Sequence, residues 1–169
     1  MQQNFPLPTS NTRIEIVYRP IDQLKLDPRN ARRHERKQIR QIDDSIQAFG
    51  FNVPILVDAE LKVIAGHGRP LACRHLGRRE VPTIGLEHLS EAQARAFMIA
   101  DNRLTEIASW DDRLLGEQLR ELSELTLDFN LEVTGFDMAE IDLLIEGASD
   151  PPPQPDPDDE PRRSRLAQR

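Results

Sequence analysis

The sequence predicts an α+β protein: a small mixed β-sheet with surrounding helices, followed by a helical C-terminal extension. Three observations carry this. Short β-branched runs at residues 14–18, 53–57, 63–64 and 81–84 are too brief for helices and fit a sheet. Helical periodicity separates some of these runs and then stands alone after residue 90. At one junction Gly66-His67-Gly68-Arg69-Pro70 lies between a strand and a segment of helix formers that stops at Gly77.

Each element follows from local chemistry. Residues 14–18 alternate enough for a first strand, which Pro20 ends. Residues 21–24 read as a short turn or helix, and a basic loop with Arg29, Arg32, Arg33, Arg36 and Lys37 comes next. From residue 36 to 49, Ile39, Ile42, Ile46 and Phe49 fall at helical spacing. Arg40, Gln41, Asp43 and Gln47 are left for the wet side, and Gly50 is the stop. Residues 53–57 form a buried strand, and residues 58–62 turn it back into the strand at 63–64, so the glycine loop comes at a strand end. Pro70 takes the first position of the helix behind that loop.

Further along, Ser90 with Gln93 makes a capping box, and Ser109 with Asp112 a weaker acidic version. Leu114, Leu115, Leu119 and Leu122 form one apolar stripe. The last helix is signalled by Asp137 as cap, by Met138, Ile141, Leu144 and Ile145 on one face, and by Gly147 at its end. The expected organisation is a disordered N-terminus at 1–12, an α+β core at 13–89, a helical extension packed on it at 90–147, and a disordered tail at 148–169. That tail holds six of the 13 prolines amid acidic and then arginine-rich sequence, which offers little apolar burial to offset ordering entropy.

With 169 residues, 38% hydrophobic and 30% charged, the chain can bury one core. The N-terminus lacks the basic start and apolar run of a signal peptide, and no stretch is long enough to span a bilayer. Cys73 is the single cysteine, so an internal disulfide is impossible and a reducing, cytoplasmic setting is expected. The net charge of −7 conceals a division. Residues 1–86 carry 14 basic side chains against 9 acidic, and residues 87–147 carry 4 against 15. The basic half suits phosphates, whereas the acidic half suits solvent or a protein and repels DNA.

The glycine loop has the makings of an anion receptor. Gly66 and Gly68 permit positive φ and close backbone approach, so main-chain N–H groups can converge on a phosphate. Arg69 adds a planar, permanently charged fork. His67 can contact a phosphate, act as acid or base, or hydrogen-bond across the turn. His34, His75 and His88 have no ligand spacing with it, and one cysteine makes no zinc site. Arg29 and Arg32 are candidates for a second phosphate contact. Asp101 and Asn102 put a carboxylate beside an amide oxygen, a donor pair suited to a hard cation, and Asn102 would equally serve as a helix C-cap.

Leu26-Asp27-Pro28-Arg29-Asn30-Ala31-Arg32, residues 49–57, the GHGR loop and Ile99-Ala100-Asp101-Asn102-Arg103 follow one another in a recognisable order and spacing. Over roughly residues 14 to 110 this series resembles the N-terminal domain of ParB-type partition proteins, the ParB/sulfiredoxin fold. The resemblance implies that Gly66, His67, Gly68 and Arg69 hold the triphosphate of a cytidine nucleotide. It implies that Asn102 helps hold magnesium, that Asp101 is tied to hydrolysis, and that Gly50, Asn52 and Pro54 shape the wall beside the base. The loop departs from the family pattern of an acidic residue and two adjacent arginines, with another arginine shortly after: here stand His67, Gly68, Arg69 and Leu71. In sulfiredoxin a catalytic cysteine occupies the position of His67, and Cys73 lies a turn into the helix, which disfavours sulfinic-acid reduction.

The GHGR loop, with Asp101-Asn102-Arg103 and Thr134-Gly135-Phe136-Asp137, looks like the domain found ahead of DNA methyltransferases in phage and mobile-element proteins. Asp150-Pro151-Pro152 lacks the aromatic and flanking strand of a methylase motif, so a binding or regulatory module is expected. The resemblance therefore implies a nucleotide-binding regulatory domain in a DNA transaction, such as plasmid or phage partition, DNA modification or transcription. It would take CTP or ATP with Mg2+. Its partners would be DNA, met directly or through another protein, a DNA methyltransferase or other protein, and a second copy of the chain. One alternative is a metal-dependent nuclease, nucleotide hydrolase or phosphotransferase using Asp101 and His67; another is a non-catalytic protein-interaction adaptor. No helix-turn-helix is expected after residue 90, because the helices there are acidic.

Overall fold

A computed structural model describes residues 14–148. The expectations for residues 1–12 and, Ala148 apart, for the tail lie outside the described residues. Strands β1 (Ile16–Pro20), β2 (Ile55–Val57), β3 (Val63–Ala65) and β4 (Glu80–Gly85) make one sheet in the order β1-β4-β2-β3. β1 runs antiparallel to β4, β2 antiparallel to β3, and β2 parallel to β4. The sheet is mixed because a parallel pair needs a crossover, and the hairpin partner β3 followed by helix α2 (Gly68–His75) supplies it. Asp58 closes the β2–β3 turn, its Oδ1 accepting from the backbone N–H of Glu60 at 3.0 Å and of Lys62 at 2.8 Å.

The strand ends differ from expectation, by one residue at β3 and β4 and by two at β1 and β2. β1 includes Pro20, which stands opposite Glu80 in the ladder. An edge strand tolerates the missing donor, and Ile16, Val17 and Tyr18 are exposed accordingly. β2 is shorter than predicted, since Val53 is exposed ahead of it.

Helix α1 (Arg36–Phe49) spans the expected residues and stops at Gly50, whose φ of 84° is the left-handed conformation glycine supplies. It lays Ile46 into a core formed with Ile55, Val57, Val63, Val81, Ala72 and Cys73. One side chain contradicts the predicted wet face. Asp43 is only 4% exposed, with its carboxylate Oδ2 2.6 Å from Nδ1 of the exposed His75. α2 packs across α1 at that point, so a position that is polar by periodicity is covered by tertiary contact. α2 also starts earlier than predicted. Pro70 is its third residue, still within the first turn where a missing N–H breaks no intrahelical bond.

The remaining chain is helical: α3 (Glu91–Glu106), α4 (Asp112–Ser123), a 3-10 turn (Leu131–Thr134) and α5 (Met138–Gly147). The Ser90–Gln93 capping box forms, as does a second between Asp137 and Glu140. α4 is capped by Asp111, which accepts from the Leu114 N–H at 3.0 Å, rather than by Ser109. Asp111 directly precedes the helix, which is where an oxygen can reach the orphan donors. Leu119, Leu131 and Ile141 make a second apolar cluster, with Leu115, Leu122, Leu144 and Ile145 packed on it. Leu114 and Met138, assigned to the apolar faces, are exposed. α3 packs on β3, and the 3-10 turn packs on α1. Among the described residues no helix is long and apolar enough to cross a membrane.

Candidate functional site

A cleft of about 620 Å3 is bounded by α1, the β3–α2 loop, α3 and the 3-10 turn. Gly66, His67, Gly68, Arg69 and Arg32 all line it. So do Asp101 and Asn102 from α3, and Gly50 and Asn52 from beyond α1. The chain thus brings every predicted phosphate, metal and base-wall position except Arg29 and Pro54 to one concavity.

The two glycines are there for different reasons. Gly66 has φ 84°, and a Cβ on it would lie 2.6 Å from Arg69 Nη1, so the guanidinium folds over the bare backbone. Gly68 does not have the predicted positive φ. What it needs is space: a Cβ there would lie 2.6 Å from Ile42 Cδ1 of α1. The backbone cradle is also smaller than predicted. The Arg69 N–H donates back to the Gly66 carbonyl at 3.0 Å and Pro70 has no N–H, which leaves the Gly68 N–H among the first residues of α2. Most attraction for an anion must therefore come from side chains. Arg69 makes no ion pair among the described residues. Burial disfavours its charge, and the field of Asp101 works the other way.

His67 is 6% exposed, and burial together with nearby His34 pushes its imidazole below the ordinary 6.5. Asp27, a backbone hydrogen bond at Val63, and Asp101 oppose that shift. Asn102 lies inside α3, which continues to Glu106, so it is not the cap of that helix. Its Nδ2 donates to the Met98 carbonyl at 2.9 Å and to Asn30 Oδ1 at 3.4 Å, which leaves its Oδ1 as the free acceptor. Among the described residues no group of three or more His, Cys, Asp or Glu side chains is placed to hold a metal ion by itself. A carboxylate and an amide oxygen fit a hard cation that takes its other ligands from phosphate and water, as Mg2+ does.

Arg29 is a correction. It reaches Asp27 and Glu91 at 3.4 Å each, and lines a different cavity. Arg74 is exposed and outside the cleft. Several wall residues escaped the sequence reading as ligand contacts. Gln38, Gln41 and Ser45 recur at helical spacing beside Ile42 and Ile46, a signal present in the periodicity of α1. Val133, Thr134 and Gly135 come from the 3-10 turn and its C-cap, where Gln41 Nε2 donates to the Gly135 carbonyl at 2.7 Å. Nothing local in the sequence marks that approach.

Comparison with known proteins accords with this geometry. A family model described as the ParB N-terminal domain matches residues 7–103. A second, described as a ParB-methyltransferase HTH domain, matches residues 113–165 and corrects the expectation that no such unit follows residue 90. Surface charge misled there, because a helix-turn-helix is defined by how its helices pack. The "ParB-like nuclease domain-containing protein YnaK" of Escherichia coli (strain K12) is 41% identical over 81 residues, 48% of this chain and 93% of that protein. A "Probable chromosome-partitioning protein ParB" of Rickettsia typhi (strain ATCC VR-144 / Wilmington) is 30% identical over 128 residues. That alignment covers 75% of this chain but 42% of the rickettsial protein, so the chain spans less than half of that relative. Among solved structures, C-terminally truncated chromosome-partitioning protein ParB from Caulobacter crescentus, complexed with CTP-gamma-S, superposes with a TM-score of 0.57 at 24% identity. It covers 65% of this chain and 63% of that one, a likeness of fold. With a family model spanning more than half of its length and a 41% identical relative covered almost end to end, this chain belongs to the ParB N-terminal domain family.

Proposed function

We propose that the cleft binds a nucleoside triphosphate, CTP or ATP, with Mg2+, and that the protein is a nucleotide-responsive regulatory module in a DNA transaction. One observation carries the reading: the GHGR loop, Arg32, Asp101 and Asn102 share a single cleft in which Arg69 has no ion pair among the described residues. Arg69 and Arg32 meet the phosphates as charge-assisted donors. Asp101 and the Asn102 amide oxygen hold the cation, which neutralises phosphate charge when bound. Gly50 and Asn52 stand at the wall where the base is received. The CTP-gamma-S complex of the Caulobacter protein supports a nucleotide as the occupant. DNA is met through the segment matched by the ParB-methyltransferase HTH model, or through a partner protein.

Asp101 is the one carboxylate among the described residues lining the cleft. Metal-dependent strand cleavage draws on several, so hydrolysis at this site is proposed for the bound nucleotide rather than for DNA. The test is calorimetric or thermal-shift titration of the protein with a nucleotide panel, with and without magnesium. Wild type is stabilised by CTP or ATP, and Arg69→Ala loses at least about tenfold in affinity without losing its fold. A flat response of wild type to every nucleotide would sink the proposal.

A further inference from the structure

The cleft contains an unfinished hydrogen-bond arrangement that its phosphate contacts do not explain. The Nε2 atoms of both His34 and His67 are buried without a hydrogen-bond partner. His34 uses Nδ1, 3.0 Å from Gln38 Oε1, an acceptor, so that nitrogen carries the ring proton. His67 has its backbone hydrogen bond at Val63, and since Nε2 has no partner, that bond is made by Nδ1. Each neutral imidazole therefore presents a bare lone pair at Nε2, and no donor among the described residues meets either one. The His34 ring lies against the loop: a Cβ on Gly68, next to His67, would be 3.3 to 3.4 Å from it, and its charge acts on His67. Two acceptors and an anion-binding loop together lack one thing, a proton.

We infer that anion binding in this cleft is proton-linked, with His67 taking up a proton at Nε2 as the phosphate arrives and becoming the loop's conditional cation. The inference rests on the proposed nucleotide site and specifies how that site is regulated. It answers a shortage already visible in the loop: one arginine, an Arg69 N–H already used within the turn, and a proline with no N–H behind it. Of the groups whose charge reaches His67, Asp27 favours the imidazolium and His34 opposes it; Asp101 favours it in the empty cleft and loses that influence once it holds the cation. Burial holds the empty site neutral. A phosphate supplies the negative charge that reverses the balance. The sign follows. With the free imidazole neutral at and above neutral pH, binding consumes a proton, so affinity falls as pH rises.

The experiment is calorimetric titration of the whole chain with CTP and with ATP, in excess magnesium to suppress the nucleotide's own protonation. It is run in two buffers of different ionisation enthalpy between pH 6.5 and 8.5. Wild type should take up close to one proton per nucleotide, with the Kd weakening by up to about tenfold per pH unit. His67→Gln, which carries an amide N–H and does not titrate, should bind with no proton uptake and a flat pH profile. His34→Gln should keep the uptake. Binding by wild type with no proton consumed overturns this inference and leaves the nucleotide site standing. Uptake that survives His67→Gln, or that vanishes only in His34→Gln, also overturns it. Failure of wild type to bind either nucleotide overturns both readings. The wild-type buffer comparison decides the matter even if a variant does not fold.

Discussion

The sheet region and the α4–α5 pair hold themselves together differently. In the first, Ile55, Val57, Val63 and Val81 are sealed to 1% exposure or less, under α1 and α2. In the second, three buried side chains, Leu119, Leu131 and Ile141, gather between two short helices, and a glycine makes the contact possible. A Cβ on Gly116 would lie 2.2 Å from the Leu144 carbonyl oxygen and 2.7 Å from Ala148 Cβ, so α4 and α5 touch backbone to backbone there. The basic sheet region has the apolar area to be stable on its own terms, whereas the acidic pair depends on one close approach and on neighbours. The cleft, lined by the sheet region and by the 3-10 turn that packs on α4, has one firm wall and one yielding wall.

That contrast can be broken by mutation. Ile55→Ala should cost about 2–5 kcal/mol and lower the unfolding midpoint of the whole chain in denaturant. If it perturbed only the C-terminal helices, the sheet would not be the stronger body. Gly116→Ala should cost about 1–3 kcal/mol, the range for overpacking, and hydrogen exchange should rise in α4 and α5 while β2 and β4 stay protected. Uniform loss of protection would mean that the two regions unfold as one. The smallest effect belongs to the tie between them. Gln41→Ala removes the donor to the Gly135 carbonyl and should cost about 0.5–1.5 kcal/mol, read as faster exchange at residues 131–137 alone.

Much of this was legible in the sequence because it is local. α1 ends at Gly50 as its periodicity and glycine require, and the Ser90 and Asp137 caps need only their own next three residues. The strands were found by β-branching, although their ends moved by up to two residues. What the sequence hid was long-range. Asp43 reads as solvated until His75, 32 residues on, covers it. Gly68 reads as a turn glycine until Ile42 is placed against it. Leu114 belongs to an apolar stripe by spacing, yet Gly116 marks the face that α5 occupies. The GHGR loop, Asp101 and Asn102 were proposed as one site from motif order, and their shared cleft is a fact of the fold.

Val133, Thr134 and Gly135 lie beyond residue 103, where the match to the ParB N-terminal domain ends. A fragment cut at that boundary keeps every residue of the GHGR loop and of the Asp101–Asn102 pair, but it opens one side of the chamber to bulk water. Any ligand affinity measured on such a fragment describes an unroofed vessel, and the difference from the full chain is itself a measure of what the distal turn contributes.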